Sequence, residues 1–224
     1  MLQQLKMLVK KQNKMFYKII EDCSPYYVKF TYDGLEDLTN FVKTIPVNLD
    51  EGRQFDSYIQ YFFPFDIAQE IINRTPLSKD FRFKRKWATL MIMHSGKFMY
   101  PHKDSPEELC SFNLPITIED DKCIVSWYDD SEFADCNIVF NTSTNPGKIY
   151  SRRVLPEHCD RKPRNPIKQL KLKLGEYVLI NTNIFHSVDN TGSENTRTIL
   201  ALRIINDTDN LVTFEDAKSV LFKN

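Results

Sequence analysis

Residues 175–188 read Gly175-Glu176-Tyr177-Val178-Leu179-Ile180-Asn181-Thr182-Asn183-Ile184-Phe185-His186-Ser187-Val188. A glycine turn opens the stretch, a short apolar run follows, and a polar break leads into a histidine. An apolar run this short, bounded by turn residues, predicts a buried strand rather than a helix. The same punctuation recurs on either side. Upstream, Trp87–Met93 is continuously apolar and ends in His94-Ser95-Gly96-Lys97, which is turn chemistry. Ser111–Ile118, Cys123–Tyr128, Asn137–Phe140 and Gly147–Val154 are further strand candidates. Lys168–Leu174 alternates lysine with apolar residues at a period of two, the mark of a half-buried strand. Downstream, Thr196–Asn206 completes the set, while the proline-rich, charged Leu155–Pro166 reads as a loop or an inserted lid.

Before residue 80 the texture is helical. Leu35–Lys43 carries apolar residues at 35, 38, 41 and 42 and is closed by Pro46; Pro64–Arg74 begins on proline, with Pro76 just beyond. Tyr58–Phe63 is a dense aromatic run that reads as a strand or core segment. Met1–Ile20 has five lysines, no acid, and apolar residues at helical spacing. It reads as a helix laid against the domain or a partner, or as one on a membrane surface. The whole predicts a mainly β chain with N-terminal helices, folded as an antiparallel sandwich or barrel with a jelly roll as the leading form. Residues 1–80 are then a helical extension packed on a core of residues 81–224.

Composition narrows the function classes. Lys plus Arg and Asp plus Glu both number 30, so the formal net charge is zero and bulk attraction to nucleic acid is not expected. The basic clusters Lys84–Lys86 and Arg161–Arg164 read as solvated surface. Sixteen Phe and ten Tyr allow a sizeable core. No apolar run reaches the roughly 18 residues of a membrane span. The cysteines, Cys23, Cys110, Cys123, Cys136 and Cys159, are odd in number and form no CxxC, which predicts free thiols and a cytoplasmic setting. The His158–Cys159 pair lacks the spacing of a zinc site. GxSxG, GxxxxGK[ST] and GxGxxG are all absent.

One constellation carries chemistry. His102-Lys103-Asp104 follows the Gly96 turn, and residues two apart in extended chain face one side. An imidazole and a carboxylate therefore project together, as two ligands of a facial triad that leaves three metal positions open. His186, after its own strand and polar break, is the candidate third ligand. Eleven residues on, Arg197 opens the largely apolar run Arg197-Thr198-Ile199-Leu200-Ala201-Leu202-Arg203-Ile204. A buried Arg there needs an anion, either an internal acid such as Asp189 or Glu194 or the carboxylate of a ligand. His94 and His158 read as turn and surface residues.

His102-x-Asp104, then His186, then Arg197, resembles the signature of the 2-oxoglutarate and Fe(II)-dependent dioxygenases. Phe112-Asn113-Leu114-Pro115-Ile116 and the Leu174–Val188 approach are similar to the phytanoyl-CoA- and prolyl-hydroxylase-like branches. The resemblance covers about residues 87–205. It implies a double-stranded β-helix with His102, Asp104 and His186 on Fe(II), and Arg197 on the far carboxylate of 2-oxoglutarate. It also implies molecular oxygen as co-reactant and hydroxylation of a primary substrate that the motif does not specify. Many relatives place Ser or Thr two residues after the Arg; Ile199 stands there instead. Asn113 and Tyr128, with Tyr100 behind them, are the candidate second partners of the cosubstrate. Two other readings compete: a cupin-like metal enzyme that uses no 2-oxoglutarate, and a non-catalytic jelly-roll binding module.

Overall fold

The computed structural model describes residues 17–83, 88–104, 109–118, 120, 122–136, 138–142, 149–154, 164–205 and 212–222. The expectations for most of Met1–Ile20, for Lys84–Lys86, and for His158, Cys159 and most of the Leu155–Pro166 loop lie outside these residues. The described chain is mostly antiparallel β-sheet with a few helices. In order it runs β1 (Lys18–Cys23), β2 (Tyr27–Thr31), α1 (Leu35–Thr44), β3 (Arg53–Gln54), β4 (Tyr58–Phe62), α2 (Phe65–Arg74) and β5 (Arg82–Phe83). There follow β6 (Thr89–Met93), β7 (Phe98–Lys103), β8 (Cys110–Thr117), β9 (Ile124–Trp127), β10 (Ile138–Thr142) and β11 (Ile149–Val154). The chain closes with β12 (Lys168–Lys171), β13 (Tyr177–Asn181), β14 (His186–Asp189), β15 (Arg197–Ile205) and α3 (Phe214–Phe222).

Two sheets share these strands. A nine-stranded sheet has the order β1-β2-β13-β8-β15-β6-β4-β3 with β5 on β15, and a six-stranded sheet has the order β10-β11-β7-β14-β9-β12. From β6 to β9 and from β12 to β15 the chain alternates between them in antiparallel pairs. This is the strand order of a jelly roll. The β6–β7 connection turns at Gly96, whose φ of 67° favours glycine. Its N–H donates to the Asn190 and Ser193 carbonyls (3.1 and 3.2 Å), tying that turn to the β14–β15 turn.

The region before residue 80 departs from the helical expectation. The helices at Leu35–Thr44 and Phe65–Arg74 are present and Tyr58–Phe62 is strand, as read from sequence, but β1, β2 and β3 accompany them, and Lys18–Ile20 is strand. The β1–β2 hairpin joins the large sheet through β2 on β13, with Phe30 opposite Tyr177 and Val28 opposite Leu179. The signal was available in Val28-Lys29-Phe30-Thr31, which alternates at a period of two.

Strand alternation sorts the large sheet into two faces. Phe30, Phe112, Leu114, Tyr177, Leu179, Leu200 and Leu202 belong to one apolar cluster with Leu38 of α1, Ile71 of α2, and Ala217 and Leu221 of α3. Phe30 stacks on Tyr177 (5.5 Å) and meets Phe112 edge-on (5.8 Å). Each fully buried aromatic or leucine here contributes roughly 1.5–3 kcal/mol. The opposite face looks into the barrel. There Tyr27, Val178, Ile180 and Ile199 pack against Val125, Trp127 and Leu170 of the six-stranded sheet.

Candidate metal centre

The site stands where β7 ends and β14 begins. His102 and His186 are directly opposed in the β7–β14 ladder, with ring centroids 4.4 Å apart. Asp104 follows the last residue of β7, and its N–H donates to the Thr182 carbonyl (3.0 Å) in the turn before β14. One ligand atom from each of the three residues lies within 4.8 Å of the others. The structure thus brings together side chains 84 positions apart in sequence, from His102 to His186.

Hydrogen bonds orient both rings. His102 Nδ1 lies 2.8 Å from the Tyr100 carbonyl, and His186 Nδ1 lies 3.0 Å from the Ile184 carbonyl. A carbonyl only accepts, so each Nδ1 carries a proton, which leaves Nε2 as the atom of each ring that can turn to a metal. His102 is 7% exposed and His186 4%, so neither is a surface residue. His102 Nε2 faces Asp104 Oδ1 at 3.6 Å, and Arg203 Nη1 faces Asp104 Oδ2 at 3.5 Å. Burial pushes the Asp104 carboxyl upward, but Arg203, His186 and His102 outweigh it and hold the group below its ordinary value. It is therefore an anion at neutral pH. Two imidazole Nε2 atoms and one carboxylate form the 2-His-1-carboxylate donor set suited to non-haem Fe(II).

Arg197 stands on the inner wall of the barrel. It pairs with Met93 of β6 and shares the inward face of β15 with Ile199. It is 6% exposed, its Nη1 donates to Cys123 Sγ (3.1 Å), and its Nε has no hydrogen-bond partner. The internal ion pair weighed from sequence does not form. Among the described residues no carboxylate lies within ion-pair range of Arg197, and Asp189 instead accepts from the Thr191 N–H and hydroxyl (2.9 and 2.6 Å).

The other sequence candidates separate. Asn113 sits on the inward face of β8, between Val178 and Ala201, and its Oδ1 accepts from Ser111 (3.1 Å). Tyr128 shares a different cluster with Phe133, Val154 and Phe185, and its hydroxyl meets Ser187 Oγ (2.9 Å). Ser187 alternates with His186, so this contact lies on the outward face of the six-stranded sheet. Tyr100 contributes its carbonyl to His102 and an edge-on contact with Phe98 (5.1 Å). Sequence reasoning passed over Cys123 and Arg203. Arg203 was within reach: it stands six residues after Arg197, and an even spacing along one strand places both on one face.

Neither a protein-family profile nor a curated protein matches this chain. Solved structures do. HygX from Streptomyces hygroscopicus, with nickel, 2-oxoglutarate and hygromycin B bound, covers 81% of this chain and 83% of its own, at 9% identity and a TM-score of 0.49. The α-ketoglutarate-dependent epimerase SnoN from nogalamycin biosynthesis covers 93% and 85%, at 9% identity and 0.45. Vicilin from Corylus avellana (hazelnut) covers 74% of this chain and 35% of its own, at 9% identity and 0.35. All three scores lie below 0.5.

Proposed function

We propose that the chain is an Fe(II)- and 2-oxoglutarate-dependent oxygenase, a hydroxylase of a small-molecule or protein side-chain substrate. One observation carries this reading. A 2-His-1-carboxylate cluster converges where β7 ends and β14 begins, while the buried Arg197 guanidinium, with no carboxylate partner among the described residues, stands on the inner wall of the same barrel. A buried cation without an anion costs several kcal/mol, and the far carboxylate of a dicarboxylic acid would relieve that cost. His102, Asp104 and His186 would hold Fe(II) through the two Nε2 atoms and a carboxylate oxygen. Arg197 would hold 2-oxoglutarate, with Asn113 as a further inward polar group. Tyr128 fits that role less well, since its hydroxyl is engaged outside the barrel by Ser187.

When bound, the iron supplies activation of molecular oxygen at the expense of 2-oxoglutarate, which leaves as succinate and carbon dioxide. The chain supplies geometry and shelter. The Tyr100 and Ile184 carbonyls keep both Nε2 lone pairs aimed at one point. Trp127, opposite His186 on β9, is fully buried with its indole N–H on the Asn181 carbonyl (3.2 Å), and it excludes water from the wall behind the histidines. Residues 1–80 as extension and 81–224 as core belong to this proposal, with β2 extending the sheet that carries Arg197. So does a reducing, cytoplasmic setting for the free thiols Cys23, Cys110, Cys123 and Cys136. No described helix is long and apolar enough to cross a membrane.

Anaerobic addition of Fe(II) and then 2-oxoglutarate is expected to raise a weak visible charge-transfer band, and aerobic turnover to release succinate. A correctly folded protein that takes up Fe(II) yet shows neither result would remove the cosubstrate from the reading. The Arg197–Cys123 contact favours a second reading, a cupin-like metal enzyme in which Arg197 is satisfied internally by sulfur. Metal-dependent turnover without succinate would select it.

A further inference from the structure

We infer that Arg203 is a positioning residue of the proposed metal centre, holding Asp104 to one coordinating oxygen so that the remaining positions stay open. The inference rests on the metal reading above and goes beyond it, since nothing in the donor set itself fixes how Asp104 binds. The two carboxylate oxygens of Asp104 face different neighbours: Oδ1 faces His102 Nε2 (3.6 Å), and Oδ2 faces Arg203 Nη1 (3.5 Å). The backbone N–H of Asp104 is fixed on the Thr182 carbonyl (3.0 Å), so the residue enters the site in one orientation. Arg203 stands opposite Ser111 in the β15–β8 ladder, on the same inward face as Ala201 and Ile199. Its side chain is 15% exposed, and that of Asp104 16%, so water competes weakly for Oδ2.

The consequence has a sign. A carboxylate free to rotate can offer both oxygens to a cation, which adds a bond but fills a position that a bidentate cosubstrate needs. Arg203 opposes this by pairing its charge with Oδ2 at 3.5 Å, and the same positive charge repels the cation. A group that merely propped the site together would weaken metal binding when removed. A group that restrains Asp104 in this way should do the opposite on the metal and weaken only what binds after it.

The test uses the full chain, Co(II) as the probe metal under anaerobic conditions, and 2-oxoglutarate as the probe ligand. R203M is expected to bind Co(II) roughly tenfold more tightly, to change the Co(II) d–d absorption, and to bind 2-oxoglutarate at least about tenfold more weakly, the usual scale of outer-group effects at metal sites. R203K, which keeps the charge near Oδ2, should return all three readouts toward wild type. If R203M does not fold, R203Q carries the same expectations. Weaker Co(II) binding by the variant, or an unchanged spectrum, would overturn the inference. Wild-type protein that takes no Co(II) overturns the metal centre itself and Arg203's role with it. Wild-type protein that takes Co(II) but no 2-oxoglutarate removes only the cosubstrate, and the Co(II) affinity and spectrum of R203M then decide the role of Arg203.

Discussion

The two faces of the nine-stranded sheet use the same strands for opposite ends. On the outward face of β8 and β15, Phe112, Leu114, Leu200 and Leu202 are fully buried against helices and aromatic rings. On the inward face of those strands stand Ser111, Asn113, Arg197 and Arg203, separated from their outward neighbours by one residue. The outward face gains stability from area removed from water. The inward face gives some of it back by burying charge and leaving Arg197 Nε without a partner. A sheet covered on one side by a large core can tolerate polar residues on the other, and those residues are the ones free to do chemistry.

Substitutions should therefore split into two kinds. The largest effect belongs to the proposed metal ligands: Asp104→Ala or His186→Ala should lower succinate release by more than the roughly 100-fold typical of outer-group changes. Thermal unfolding of the metal-free protein should stay near wild type in both variants. A variant that keeps its turnover would show that the cluster is incidental. Next comes the outward face. Phe112→Ala should cost about 3–5 kcal/mol of stability in denaturant titration, by leaving a cavity among Phe30, Phe81 and Tyr177. A loss under about 1 kcal/mol would mean that the cluster does not bear the stability assigned to it.

Arg197→Met should weaken 2-oxoglutarate by about 2–5 kcal/mol, the cost of removing one partner of a buried charge pair. It should leave Co(II) affinity within roughly threefold and should not lower stability, since the substitution removes an unpaired buried charge. Isothermal titration beside thermal unfolding separates the two, and a destabilised variant with intact cosubstrate binding would reverse the assignment of Arg197.

The smallest effect lies at the sheet edge, in the β1–β2 hairpin. A hydrogen bond from Lys29, helped by Cys23 and Tyr27, pulls the Glu21 carboxyl from 4.5 to about 2 against a desolvation cost. A depressed carboxyl stabilises the fold above its unfolded value and loses that contribution as pH falls through its folded value. Glu21→Gln should thus cost at most about 1 kcal/mol at pH 7, given the group's exposure, and the difference should fade between pH 4.5 and about 2. A pH-independent difference in unfolding free energy would place the effect in packing.

The site was more legible in the sequence than the sheet that carries it. His102 and His186 are two of four histidines, and they, Asp104 and Arg197 stand at strand ends where each could be singled out by its immediate surroundings. The strands Tyr177–Asn181, Thr89–Met93 and Arg197–Ile205 announced themselves by apolar runs between turn residues. The β1 strand did not. Lys18–Cys23 sits beside a basic stretch with helical spacing, and its exposed residues alternate with only half-buried ones. Its strand state comes from pairing with β2, a partner that local pattern does not reveal. Tyr128 misled for a related reason. Read from sequence as a candidate partner of the cosubstrate, it stands next to Trp127, and alternation sends neighbours to opposite faces, with Trp127 in the interior.

By itself, the sequence determined that strands exist at these places, that two faces of each are chemically distinct, and that a metal-competent set of donors is present. Those properties follow from period, turn chemistry and residue type, all local. Tertiary structure alone decided which ends meet. Only the β7–β14 register sets His102 against His186, only the two-sheet closure brings Cys123 to Arg197, and only the inward face of β15 brings Arg203 to Asp104. Register is fixed by burial summed over whole strands and by their turns, so a contact between distant side chains cannot be read from either residue's own neighbourhood.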